Sequence, residues 1–104
     1  MRELHHFGIP TTMPHKNETY LEGAKLYVTD AAKSPNKIEW LRFEAGSPLP
    51  DLLKTSAHIA YKVKDLKNAM AGKTVLMEPF SPAPGRTVAF VVEEGIPIEF
   101  MKEG

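Results

Sequence analysis

The sequence contains one short pattern twice: a histidine in an apolar stretch, followed further along the chain by a glutamate in a second apolar stretch. His6 and Glu39 carry the pattern in the first half, and His58 and Glu99 carry it in the second. Alternation of apolar and polar side chains, with frequent aromatic and β-branched residues, indicates that these stretches are β-strands. The repeat therefore constrains the chain to two similar, strand-rich units that each end in a carboxylate.

The second half predicts the element order β-α-β-β-β. Residues 58–63 are predicted as a strand, and Asp65 is a good N-cap for a short helix that ends at Gly72. Three further strands are predicted, over residues 73–77, 87–93 and 96–102. We expect residues 78–85 to form a loop and Glu94-Gly95 to form a hairpin turn.

The first half fits the same order with a shortened connection. Its strands are predicted over residues 4–9, 18–29 and 38–43, with Gly23 at a bulge or turn. Only about ten residues, mostly polar, separate the first two strands, which is too few for a helix of ordinary length. We therefore expect the helix of this half to be reduced or missing.

At 104 residues the chain is expected to be a single domain. Two prolines and a glycine near residues 45–50 are typical of a connection between halves. The predicted organisation is a first module over residues 1–45, a linker over 46–55 and a second module over 56–104. The expected fold class is α+β.

Strand periodicity predicts which side chains share a face of each strand. Glu99 projects opposite to Ile98 and Phe100, and Glu39 projects opposite to Ile38 and Trp40. His58 likewise projects opposite to its apolar neighbours. The candidate ligands therefore point away from the layer that would pack on a helix, and a concave sheet would direct all four into its hollow. Two imidazoles and two carboxylates gathered in this way predict a divalent metal site.

Composition excludes several other kinds of function. The 13 basic and 13 acidic residues leave no net charge, so no electrostatic attraction to nucleic acid or to an anionic membrane is expected. The absence of cysteine excludes disulfides and thiolate ligands. No apolar run approaches the roughly 18 residues of a membrane span, and the N-terminus has no signal-peptide pattern. We expect a cytoplasmic protein.

Three strings carry a resemblance to a known family: residues 6–9, residues 58–66 and residues 97–100. They resemble the repeat motifs of the vicinal oxygen chelate superfamily, which includes glyoxalase I, methylmalonyl-CoA epimerase, extradiol dioxygenases and the fosfomycin and bleomycin resistance proteins. The resemblance implies two βαβββ modules that form a cupped, incomplete barrel around one metal ion. It also implies that the first and last strands of each module supply the ligands, which are then His6, Glu39, His58 and Glu99.

This ligand set indicates a class of chemistry. Two neutral imidazoles and two carboxylates suit one divalent ion, with Zn, Ni, Co, Fe or Mn all compatible. Such an ion polarises a chelated carbonyl as a Lewis acid, and a carboxylate then moves the adjacent proton. We expect Glu99 to be the base and Glu39 its partner on the opposite side. The resemblance implies a lyase or isomerase of the glyoxalase or epimerase type that acts on a small molecule.

Two other classes of function stay open. Relatives of the family bind or sequester a small molecule without transforming it, and a shorter first module would leave a wider groove suited to that role. The chain could also be a structural domain in which the four polar residues are remnants. Metal dependence discriminates between these classes.

Four more residues are candidates at the site or at an interface. Arg86 could clamp an anionic substrate or be solvated, and Phe90 could line the pocket or belong to the core. His15, in a proline-flanked loop, is expected at the surface. Without a helix in the first module, Trp40 and its apolar neighbours would lack cover, which predicts a homodimer interface.

Overall fold

Eight β-strands and two short α-helices are present in the computed structural model, which describes residues 1–104. The fold is mixed α and β, as the sequence predicts. The chain divides into two compact units. The first unit is His6–Ala57, and the second unit is His58–Gly104 together with Met1–His5. Neither helix has the length and apolar composition needed to cross a membrane.

Four strands build the sheet of the first unit, in the order β2-β3-β4-β1. They are β1 (Glu3–Pro10), β2 (Thr19–Leu21), β3 (Leu26–Val28) and β4 (Ile38–Phe43). Strand β1 pairs with β4 in parallel, whereas β2–β3 and β3–β4 are antiparallel. The parallel pair is the relationship that positions His6 and Glu39.

The stretch predicted as a strand over residues 18–29 forms two strands, β2 and β3. A 3-10 turn at Glu22–Ala24 separates them, at the position where Gly23 was expected to make a bulge or turn. Lys25 then takes a left-handed conformation with φ of 49°, a region that reverses the chain direction. Alternation within the stretch predicted the strands, and Gly23 marked the turn between them, whereas the left-handed conformation of Lys25 has no sequence signal.

The connection between β1 and β2 contains no helix, in agreement with its length. A short helix, α1 (Asp51–Thr55), occupies the end of the predicted linker instead. Leu53 of this helix is buried, with 3% of its surface exposed. Ser47 adds to this attachment: its hydroxyl donates to the carbonyl of Ala24 at 2.6 Å. The linker residues are therefore a packed part of the first unit.

The second unit has the predicted β-α-β-β-β order. Its elements are β5 (His58–Lys62), α2 (Leu66–Met70), β6 (Thr74–Ala83), β7 (Arg86–Glu93) and β8 (Ile96–Glu103), with the sheet order β5-β8-β7-β6. Asp65 caps α2, because its carboxylate accepts a hydrogen bond from the amide of Asn68 at 3.1 Å. Glu94 and Gly95 both have positive φ, at 52° and 81°, as a type I′ hairpin turn requires.

Strand β6 is longer than the sequence predicts. Most of the loop expected at residues 78–85 belongs to β6, and only Pro84 and Gly85 make the turn into β7. Prolines at positions 79 and 82 are tolerated because β6 is an edge strand of this sheet. The pairing with β7 also shifts register three times along β6, as β-bulges do.

The core of the second unit lies between its sheet and α2. Ile98 and Phe100 of β8, with Val91 of β7, form a buried cluster. Leu66 and Met70 of α2 pack against this cluster. The apolar side of β8 therefore faces the helix, as periodicity predicts, and Glu99 projects from the opposite side.

Candidate metal centre

The first unit contains a histidine and glutamate pair on adjacent parallel strands. Glu39 of β4 is the register partner of Gly8 in β1, and His6 lies two residues before Gly8 on the same face. Nε2 of His6 is 3.4 Å from Oε1 of Glu39. His6 is buried, while the Glu39 side chain is 26% exposed. This pair is accessible from one side.

The second unit contains a pair with the same construction. Glu99 of β8 is the register partner of Ala60 in β5, and His58 lies two residues before Ala60. Nε2 of His58 is 3.1 Å from Oε1 of Glu99. Both side chains are largely shielded, with 3% of His58 and 11% of Glu99 exposed. The two units therefore repeat one arrangement, down to the offset between histidine and glutamate.

Small residues occupy the position between each histidine and its glutamate. Gly8 fills it in the first unit, and Ala60, which is completely buried, fills it in the second. A side chain the size of valine there would lie on the ligand face beside both groups. Sequence reasoning missed these two positions. Their signal was present, since a small residue follows each candidate histidine at the second place along the strand.

Both pairs have the geometry of neighbouring metal ligands. Protein nitrogen and oxygen ligands lie about 2.0 to 2.2 Å from a divalent ion. Two such atoms on one ion are about 3.0 Å apart at a right angle and about 3.4 Å apart at the tetrahedral angle. The observed separations of 3.1 and 3.4 Å lie within this range. Imidazole nitrogen and carboxylate oxygen are also the donors that Zn, Ni, Co, Fe and Mn accept.

Phe90 lies beside the pair of the second unit. It is the register partner of Glu99 on β7, and its ring meets the His58 imidazole edge-on, with centroids 5.4 Å apart. Phe90 is buried, with 7% of its surface exposed. Phe90 therefore belongs to the buried core, and as the register partner of Glu99 it also lies on the ligand face.

Arg86 is placed away from the pair. It projects from the same face of β7 as Phe90 but lies four residues earlier, which is about 13 Å along a strand. Its guanidinium donates to Glu103 at 2.9 Å. The structure therefore gives Arg86 a partner at the far end of the sheet and does not bring it to His58 or Glu99.

The apolar side of β4 is covered differently from that of β8. Trp40 stacks on the ring of His15, with centroids 4.8 Å apart and an interplanar angle of 15°. His15 lies in the loop before β2 and is half-buried, so part of its ring is at the surface, as the sequence predicts. The His15 ring covers one part of Trp40, which stays half-exposed, and the homodimer interface stays a prediction.

Comparison with known proteins establishes similarity of fold. No family model matches the sequence, and no curated protein matches it. A solved structure that is similar to this chain is the hypothetical protein BH1468 from Bacillus halodurans C-125. The TM-score is 0.71 at 21% sequence identity, and the match covers 99% of this chain and 95% of that chain. At this identity the likeness concerns the fold alone.

Proposed function

We propose that the two histidine and glutamate pairs bind one divalent metal ion, and that the protein is an enzyme of the vicinal oxygen chelate type. The proposed ligands are His6, Glu39 and His58, together with Glu99. One observation carries the proposal: each unit holds a buried imidazole against a carboxylate, with the same register offset and a small residue between them. Two equivalent half-sites are what a module repeat built around one ion requires.

Proton transfer next to a carbonyl needs one group that removes the proton and one that exchanges a proton with solvent, and Glu99 and Glu39 fit these two roles. A bound ion would act as a Lewis acid on a carbonyl oxygen of a small substrate. Glu99 is our candidate base, because only 11% of its side chain is exposed to water. Glu39 is more exposed and can exchange its proton with solvent from the other side. The reaction class is that of a lyase or isomerase of the glyoxalase or epimerase type.

Metal stoichiometry is the first test of the proposal. The purified protein is reconstituted with Zn²⁺, Ni²⁺, Co²⁺, Fe²⁺ or Mn²⁺, dialysed, and analysed for bound metal. We expect one ion per chain, lost both in His58→Ala and in His6→Ala. The matched control is His15→Ala, which removes an imidazole outside the pairs and should retain the ion. Two ions per chain, or loss in only one of the two variants, would contradict a shared site.

Turnover needs a separate measurement. The loaded protein is incubated in deuterated solvent with small 2-oxo compounds and acyl thioesters, and exchange of the proton next to the carbonyl is followed by NMR. We expect exchange that depends on metal and is lost in Glu99→Gln. Metal binding without exchange for any member of the panel would favour the alternative, a protein that binds or sequesters a small molecule.

The homodimer also stays a proposal. Vicinal oxygen chelate proteins commonly act as dimers, so the resemblance remains its support. Sedimentation equilibrium over a range of protein concentrations tests it. A constant mass of 11.6 kDa would exclude the dimer.

A further inference from the structure

A cavity of about 330 Å³ lies in the first unit, on the side of β4 that faces away from Glu39. Ile38 and Trp40 form its apolar wall, and His15 lines it beside the indole. The corresponding side of β8 in the second unit is filled by α2. The cavity therefore occupies the space that the absent helix leaves open. Its volume is at the lower end of the range for small-molecule sites.

Hydrogen bonds within the protein fix the orientation of His15 in the aromatic wall of the cavity. Nδ1 of His15 donates to the carbonyl of Met13 at 2.9 Å, and the amide of His15 donates to Glu18 at 3.3 Å. Glu18 is itself fixed by a bidentate pair with Arg42. The imidazole thus remains parallel to the indole of Trp40. A preorganised stack lowers the entropic cost of binding a flat ring.

The rim of the cavity carries excess positive charge. Lys16 and Lys33 line it, and neither ammonium group forms an ion pair in the structure. Asp30 is the only carboxylate that lines it, and its Oδ1 accepts a hydrogen bond from the amide of Ala32 at 2.9 Å. Ser34 is likewise committed to the backbone, since its hydroxyl accepts from the amide of Ile38. The two lysines therefore favour an anion.

We propose that this cavity binds a flat aromatic carboxylate, with the ring against Trp40 and Ile38 and the carboxylate between Lys16 and Lys33. Aromatic stacking and ammonium charge together select this class over neutral rings and over small inorganic anions. The site is separate from the proposed metal centre, because Trp40 and Glu39 are consecutive residues of one strand and project from opposite faces. The inference does not depend on the metal.

The single tryptophan makes the test direct. Because the chain has one tryptophan, the ¹H–¹⁵N NMR spectrum of the ¹⁵N-labelled protein contains one indole N–H signal. The probe is 2-naphthoate, and the controls are the uncharged 2-naphthylmethanol and inorganic phosphate. We expect a saturable shift of the indole signal with 2-naphthoate, at least tenfold weaker binding of 2-naphthylmethanol, and no shift with phosphate.

Charge variants distinguish a contribution of the two rim lysines to binding from a general effect of the protein's net charge. The double variant Lys16→Met and Lys33→Met keeps the apolar stems, and we expect it to weaken 2-naphthoate binding at least tenfold. The matched control is Lys64→Met with Lys102→Met, which removes the same charge from exposed lysines of the second unit. Equal affinities in the two double variants, or equal binding of the charged and uncharged probes, would overturn the proposal. An indole signal that shifts with protein concentration alone would also overturn it, since a second copy would then occupy the cavity.

Discussion

Oε1 of Glu99 lies 3.1 Å from Nε2 of His58, although the carboxylate sits beside Ala60 in the strand register. The two side chains meet because both project from the same face of the sheet. Ala60, the residue of β5 beside Glu99, carries only a methyl group and leaves room for them. The same offset recurs between His6 and Glu39 across Gly8.

Replacing Glu99 by glutamine should weaken metal binding by more than about tenfold, because even residues that only support metal ligands contribute factors of 10 to 100. Glutamine keeps the shape of the side chain and removes its charge. The measurement is titration calorimetry with Zn²⁺. Glu103→Gln is the matched control, since Glu103 projects from the same face of β8 at its exposed end. Equal affinities in the two variants would contradict a role for Glu99 as a ligand.

Phe100 and Trp40 occupy comparable places on the apolar sides of β8 and β4, but only Phe100 is completely buried under a helix. Phe100→Ala should reduce the free energy of unfolding by about 3 to 5 kcal/mol, the usual cost of removing a buried aromatic ring. Trp40→Ala should cost clearly less, because the indole is half-exposed beside the cavity. Urea denaturation followed by circular dichroism compares the variants. A larger loss for Trp40→Ala would show that the first unit depends on the indole for its core.

Glu93 should make stability depend on pH in the acid range. Hydrogen bonds from Arg2 and then from Lys73 lower the pKa of Glu93 to about 2 from its ordinary value of 4.5. Since the folded-state pKa is the lower one, this stabilisation is complete above about pH 4.5 and is lost as the pH falls towards 2. Glu93→Gln should cost about 1 to 2 kcal/mol at pH 7.

Urea denaturation at a series of pH values tests the role of Glu93. The difference between wild type and Glu93→Gln should shrink below pH 4.5 and vanish near pH 2. Glu94→Gln is the control, because its side chain lies in the exposed hairpin turn and forms no ion pair. A difference that stays constant with pH would mean that the ion pairs of Glu93 contribute nothing to stability.

Tyr20 should ionise at an unusually high pH. Its hydroxyl donates to Oε1 of Glu44 at 2.6 Å, and this hydrogen bond raises the pKa of Tyr20 to about 12. Removing the phenolic proton would break the bond and place a second negative charge beside the carboxylate. Phenolate absorbance should therefore show one of the three tyrosines titrating near pH 12. Glu44→Gln should move that transition to lower pH, whereas Glu78→Gln in β6 should leave it unchanged.

Local signals predicted the second unit well. Asp65 caps α2, and Glu94-Gly95 forms the hairpin turn between β7 and β8, both as expected. These features are predictable because capping and turn conformations are decided within a few residues of the chain. The absence of a helix between β1 and β2 was predictable for a similar reason, since the number of residues available sets the limit.

Features that depend on a distant partner were not predictable in the same way. Strand β6 runs through two prolines because β7 pairs with it from one side only. Helix α1 forms in a linker-like stretch, and its Leu53 is buried. In each case the composition of the segment indicated loop, and contacts from elsewhere in the chain decided otherwise.

The sequence by itself determined the repeat, the donor types at positions 6, 39, 58 and 99, and the face of each strand from which they project, because strand periodicity is a local property. Only the tertiary structure decided that each glutamate is the register partner of the residue two positions after its histidine, and that the ring of His15 stacks on Trp40. Strand register and ring stacking arise from contacts between residues far apart in the chain. Such contacts are selected by the packing of the whole unit, and no short segment encodes them.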